Sequence, residues 1–116
     1  MPLPDDVKDD AIALVAMYCA TTIPSELADE IRLEYKLRGR TITIYERRPL
    51  WREDLGPEWT SMRICSMEWD PATRLWTLYA RDGNDRRLDY PYVDPAPTIK
   101  PLLGELDNDP TAIFWG

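Results

Sequence analysis

Arg38-Gly39-Arg40-Thr41-Ile42-Thr43-Ile44-Tyr45-Glu46-Arg47-Arg48-Pro49-Leu50-Trp51 is the stretch whose reading decides the fold. From Thr41 onward apolar and polar residues alternate, the mark of a half-buried strand whose successive side chains point to opposite faces. The same alternation runs upstream, where Ile31, Leu33, Tyr35 and Leu37 interleave with Arg32, Glu34, Lys36 and Arg38. Gly39-Arg40 joins the two runs as a tight hairpin turn, with glycine supplying positive φ at the first turn position. If Arg38 faces Thr41, then Leu37 meets Ile42, Tyr35 meets Ile44 and Leu33 meets Glu46. This register sets Glu46 and Arg48 on the apolar side of the hairpin. Thr43, Tyr45 and Arg47 share the outer face with Glu34 and Lys36.

Upstream of the hairpin, residues 5–21 predict an amphipathic helix: Val7, Ala11, Leu14, Val15, Tyr18 and Cys19 recur at helical spacing, and Asp6, Asp9 and Asp10 crowd its start. Thr21-Thr22-Ile23-Pro24 ends it, and Ser25 is placed to cap one further short turn through Glu30. Downstream, Pro49 is expected to stop ladder pairing, so Leu50 to Trp59 reads as a long connection with two tryptophans. Met62 to Trp69 and Arg74 to Ala80 then read as strands around the Asp70-Pro71-Ala72-Thr73 turn, pairing Met67 with Trp76 and Cys65 with Leu78 as core residues. After the Asp82-Gly83-Asn84-Asp85 turn, Arg86 to Tyr92 suits a sheet edge interrupted by Pro91. An extended linker, Val93 to Pro97, leads to Ile99, Leu102, Leu103 and Leu106 at helical spacing. The terminal Ile113-Phe114-Trp115-Gly116 is expected to dock against the core, because an apolar end left in water is sticky. The expected architecture is α+β: an N-terminal helix, about five strands in a mainly antiparallel meander sheet, and a C-terminal helix packed on the sheet, in one compact domain over residues 1–116.

The chain of 116 residues carries 14 bases and 21 acids, a formal charge of −7. That balance disfavours a general nucleic-acid binder, whose affinity rests on neutralising phosphates. The charge is uneven: residues 1–30 sum to −6, residues 31–52 to +5, and residues 53–93 and 94–116 to −3 each. With no histidine, triads built on imidazole and His-ligated metals are excluded. The two cysteines, Cys19 and Cys65, form no Cys-x-x-Cys pair and read as buried free thiols. No apolar run is long enough to span a membrane, and the start lacks the pattern of a secretion signal, so a cytoplasmic protein with no membrane partner is expected.

Candidate chemistry concentrates at the end of the first hairpin. An acid beside Arg48 on the apolar face, with Trp51 and Trp59 nearby, is either an ion pair sealing the sheet end or the floor of a pocket for an anionic ligand or partner, since arginine forks suit carboxylate and phosphate. Arg38, Arg40 and Arg47 extend the basic patch. The tentative binding set is therefore Glu46, Arg47, Arg48, Trp51, Trp59, Arg38 and Arg40, with no catalytic residue, metal site or cofactor expected. Asp82 to Asp85 lacks the length and bidentate Glu of a calcium loop, and Glu34 and Glu46 fall on opposite faces, which argues against a carboxylate pair. Ser25, Ser61 and Ser66 have no base beside them in sequence.

Several motifs carry a resemblance. Arg32-Leu33-Glu34-Tyr35, Arg38-Gly39-Arg40, Thr43-Ile44-Tyr45-Glu46-Arg47-Arg48-Pro49, Trp51-Arg52, Gly56-Pro57-Glu58-Trp59-Thr60, Asp70-Pro71-Ala72-Thr73, Leu75-Trp76-Thr77-Leu78-Tyr79 and Asp109 to Gly116 together resemble a bacterial family, domain of unknown function 3024, from about residue 7 to the end. The family pattern has a second Trp and a His in the last strand, where this chain has Arg87 and Leu88. The resemblance implies no activity. The expected function is a small, non-catalytic interaction or regulatory module that binds a protein partner or small anionic ligand at the Arg/Trp edge. The alternative is nucleic-acid association through the local Arg cluster; oligomeric state is left open.

Overall fold

The first hairpin folds in the register that its alternation dictates. A computed structural model describes residues 2–49 and 59–115. In it β1 (Arg32–Arg38) pairs antiparallel with β2 (Thr41–Pro49), Leu37 against Ile42, Tyr35 against Ile44 and Leu33 against Glu46. Gly39 takes φ +61° at the turn, the left-handed region that glycine enters without steric cost. β3 (Trp59–Asp70), β4 (Leu75–Arg81) and β5 (Arg87–Asp89) complete a five-stranded antiparallel meander in the order β1-β2-β3-β4-β5.

Two helices flank the strands in sequence. α1 (Asp5–Thr22) buries Ala11, Val15 and Tyr18, and its exposed first turn carries Asp5 and Asp6, where carboxylates meet the positive end of the helix dipole. α2 (Lys100–Asn108) buries Leu102, Leu103 and Leu106, and ends at Asp109 in the left-handed conformation, φ 40°. Tyr18 Oη donates to Asp107 Oδ1 at 2.9 Å, tying one helix to the other. The buried cluster joins Val15, Tyr18, Leu102, Leu106 and Phe114 to Leu33, Ile42, Ile44, Cys65, Met67, Trp76 and Leu78. Those strand residues all belong to one set of alternating positions, so both helices cover the same sheet face. Among the described residues no helix packs on the opposite face.

The terminus docks as its composition demands. Phe114 is buried and its ring lies 4.9 Å from Tyr90, while the Trp115 Nε1–H donates to the Leu106 carbonyl at 2.9 Å. Asp109 fixes the turn that brings them there, its carboxylate accepting from the Phe114 and Trp115 backbone N–H groups.

Four expectations need correction. Ser25 does not cap the short 3₁₀ turn over Ser25–Leu27: Pro24 holds the cap position, and the Ser25 hydroxyl meets Glu26 Oε2 at 3.4 Å instead. Pro49 does not end the ladder. It pairs with Trp59, so Trp59 opens a strand rather than closing a loop. Proline is tolerated there because β1 pairs β2 only as far as Arg47, leaving Pro49 beyond the neighbouring strand. In the second hairpin Met67 faces Leu78 and Trp69 faces Trp76, a slip of two residues from the expected register. The turn explains it: Arg74 adopts φ 57°, and Asp70 pairs with Leu75 across the loop. A slip of two keeps every side chain on its face, so Cys65, Met67, Trp76 and Leu78 are still core residues. Finally, the last strand is short, because Tyr90 turns inward to be buried against Phe114.

One irregularity places the site. Ile44 faces Cys65 but Tyr45 faces Arg63, so Ile64 is an extra residue in β3, a β-bulge. Beyond it the alternation of β3 resets. Ile64 is buried, and Arg63 joins Tyr45 on the face that the helices leave uncovered.

Candidate functional site

The uncovered face is built from every second residue of each strand. β1 contributes Arg32, Glu34, Lys36 and Arg38, β2 Thr41, Thr43, Tyr45 and Arg47, and β3 Trp59, Ser61, Arg63, Ser66, Glu68 and Asp70. β4 adds Leu75, Thr77, Tyr79 and Arg81, and β5 adds Arg87 and Asp89. Among the described residues the face therefore holds seven cations, Arg32, Lys36, Arg38, Arg47, Arg63, Arg81 and Arg87, against four carboxylates, Glu34, Glu68, Asp70 and Asp89. Its sum is +3 in a chain whose total is −7, and the other described residues sum to −8. The acids of α1 and the ends of the chain supply much of that negative charge.

Cross-strand contacts order these side chains. Arg47 Nη1 meets Glu34 Oε2 at 3.1 Å, and Arg87 Nη1 meets Glu68 Oε2 at 3.3 Å. Three aromatic rings lie among the charges, each with a cation over it: Lys36 Nζ is 5.3 Å from the Tyr45 centroid, and the guanidinium carbons of Arg87 and Arg32 are 3.4 Å and 4.2 Å from the Tyr79 and Trp59 centroids. Burial acts to lower the Arg87 pKa, but the hydrogen bond and charge of Glu68 outweigh it and raise the value, so Arg87 stays a fixed cation.

At the bulge the face opens into a groove of about 940 Å³. β3 pairs with β4 only from Ser66 to Asp70, and the groove runs beside the earlier half of β3. Tyr45, Arg63 and Arg81 line one side, and Met62, Leu88 and Ile113, all exposed apolar residues, line the other. Arg63 reaches Asp85 at 3.5 Å, and Arg81 Nη2 donates to the buried Ser66 hydroxyl at 2.7 Å. The Nε atoms of Arg81 and Arg47 are buried with no hydrogen-bond partner among the described residues. A buried donor left unpaired is costly.

The residues singled out in the sequence divide between the two faces. Arg38, Arg47 and Trp59 lie on the uncovered face. Glu46 points to the apolar side as its register requires, its side chain only 11% exposed, and accepts a hydrogen bond from Arg48 Nε at 2.7 Å. Arg40 sits in the hairpin turn, where its carbonyl accepts from the Trp69 N–H at 3.0 Å. Trp51 lies outside the described residues. Arg63, Tyr79, Arg81 and Arg87, which complete the face, escape a reading by sequence windows because they lie in residues 53–93, a segment whose net charge is −3. Summing charge over alternate positions finds them once the bulge is known.

Apart from Arg87, the groups whose protonation the structure shifts lie in the core or packed against it. Burial pushes the Cys19 thiol up to about 11 and the Cys65 thiol up to about 12. Burial, then the hydrogen bond to an acid, raises Tyr18 beside Asp107 and Tyr90 beside Glu105. All four are held in their neutral forms at neutral pH, the reverse of what an activated nucleophile or base needs. Among the described residues, no group of three or more His, Cys, Asp and Glu is placed to hold a metal ion, and no helix is long and apolar enough to cross a membrane. A family model described as Domain of unknown function (DUF3024) matches residues 3–116. No curated protein and no solved structure matches the chain.

Proposed function

We propose, starting from the fact that the chain belongs to the domain of unknown function 3024 family and takes no assigned activity from it, that this protein is a non-catalytic interaction module whose uncovered sheet face binds an anionic partner. The segregation of charge among the described residues carries this reading: +3 on one sheet face against −8 off it. A field of one sign confined to one face orients an approaching anion and confines it to that face. The reading moves the site from the Arg47-Arg48 edge to the whole face, since Arg48 is engaged by Glu46 on the opposite side.

The test is salt-titrated binding of the full chain to a set of polyanions: heparin, poly-L-glutamate, and single- and double-stranded nucleic acid. Lys36→Glu and Arg38→Glu, both exposed on the face, are expected to abolish binding, whereas Lys8→Glu and Lys100→Glu, exposed off the face, leave most of it. Absence of binding to every polyanion at low salt, or equal losses in both pairs of variants, would refute the reading.

A second reading is favoured by Met62, Leu88 and Ile113, exposed together along the groove beside β3. There an extended segment of a protein partner adds to the strand, its backbone pairing with β3 and its apolar side chains meeting these three. Binding of a partner peptide that is lost in Leu88→Glu and Ile113→Glu but kept in Lys36→Glu would identify it.

A further inference from the structure

We infer that the anionic partner of the sheet face is single-stranded nucleic acid, with a base stacked on Tyr45 in the groove that Arg63 and Arg81 line. The inference rests on the anion-binding reading above and adds the chemistry that selects among anions. A polycarboxylate needs only cations, whereas this face interleaves cations with rings: Tyr45 on β2 and Tyr79 on β4, separated by β3. Rings among basic side chains on an open sheet are what unstacked bases use, because every base has a face to stack and every nucleotide a phosphate to neutralise. A duplex keeps its bases stacked inside and has no use for the rings.

Of these two tyrosines, Tyr45 is the better platform. It lines the groove, and the cation over it, Lys36, lies 5.3 Å from the ring centroid. None of the described ion pairs holds Lys36. An exposed cation–π contact of this kind is weaker than base–aromatic stacking, so a base displaces the ammonium and leaves it free to reach a phosphate. Tyr79 is different: Arg87 lies 3.4 Å from its centroid and is tied down by Glu68 at 3.3 Å. Tyr79 stands across β3 from Thr43, two residues along β2 from Tyr45, a backbone separation of about 12 Å, so the two rings serve bases that are not neighbours in the strand. Arg63 and Arg81 line the same groove as Tyr45 and supply guanidinium donors for a base carbonyl or phosphate oxygen. The surplus of three cations on the face implies a modest affinity with a logarithmic salt slope of about −2, at roughly 0.7 counterions released per phosphate neutralised on a single strand.

The deciding experiment measures binding of the full chain to oligothymidylate and oligouridylate of about 10 nucleotides, an abasic oligomer of equal length, a duplex of equal length, and poly-L-glutamate. Tighter binding of the base-bearing single strands than of the other three is expected. Tyr45→Ala is expected to weaken that binding about tenfold, Tyr45→Phe to preserve it, and Tyr79→Ala to have the smaller effect. Should Tyr45→Ala fail to fold, the comparison of abasic with base-bearing strands still decides. Equal binding of the abasic oligomer, the duplex or poly-L-glutamate, or full binding by folded Tyr45→Ala, overturns the base-stacking inference and leaves the anion-binding reading standing. Failure of all the polyanions to bind at low salt overturns both.

Discussion

The two faces of this sheet are made from the same five strands, often from adjacent residues, yet they answer to different physics. On the helix side, Ile42, Ile44, Cys65, Met67, Trp76 and Leu78 are almost wholly removed from water, and the only question at each position is whether its volume fits. On the other side nearly every residue keeps some contact with water, and charges are balanced locally by cross-strand neighbours without being neutralised in sum. The difference teaches where to look for each property. Stability is concentrated where the side chains are uniform in chemistry, and recognition where they are diverse.

That division can be broken by mutation, and the largest effects belong to the apolar face. Trp76→Ala and Phe114→Ala should each destabilise the fold by about 3–5 kcal/mol in urea unfolding, the range for truncating a buried aromatic. A melting temperature unchanged by Phe114→Ala would show that the terminus is not part of the core. Tyr45→Ala, on the opposite face, should cost far less, and a loss of the same size would mean that the outer face also carries the fold.

Next in size is a dependence on pH that only the buried face can produce. Burial pushes the Cys65 thiol up to about 12, from an ordinary value of 9.0. The folded state therefore holds its thiol proton where the unfolded chain has lost it. The stabilisation is fully present below pH 9 and disappears as pH rises toward 12, amounting to about 2 kcal/mol lost by pH 10.5. Tyr18, raised in the same direction, adds to the loss above pH 10. Cys65→Ala should flatten the alkaline limb of a stability profile between pH 9 and 11; an unaltered limb would mean that other groups govern it.

How far these faces were legible in the sequence follows from the range over which the rules act. The β1–β2 register depends on two adjacent runs and a glycine turn, so alternation alone assigned Tyr45 and Arg47 outward and Glu46 inward. α2 was equally local, with Ile99, Leu102, Leu103 and Leu106 on one helical stripe and all buried. The β3–β4 register was two residues out, because it hangs on the left-handed conformation of Arg74, a non-glycine residue that gives no local signal. The charged face was hidden more deeply. Residues 31–52 sum to +5 as a window, which pointed to the Arg47-Arg48 edge, but strands deal alternate residues to opposite faces. Arg48 was thereby lost to the other side, and Arg63 was gained only because the Ile64 bulge resets the alternation of β3.

Arg47 and Arg48 give the finest test of the comparison, since they are neighbours in sequence with opposite surroundings. Arg48 is itself 60% exposed, but its partner Glu46 has a side chain only 11% exposed at the margin of the core. Removing the guanidinium leaves that carboxylate without its 2.7 Å hydrogen bond in a place where water replaces it poorly. Arg48→Ala should therefore destabilise by about 1–2 kcal/mol, and Arg48→Ala with Glu46→Gln should recover part of the loss, because the group left behind is no longer a charge. Arg47 pairs with Glu34 across the outer face, and both side chains are more than a third exposed at 36% and 46%. Water and salt take over most of that interaction, so Arg47→Ala should cost less than about 0.5 kcal/mol. Its effect should appear instead in polyanion binding, which loses one of the seven face cations. A stability loss from Arg47→Ala equal to that from Arg48→Ala would mean that the outer ion pairs hold the sheet together, and the separation of the two faces into one for folding and one for binding would fail.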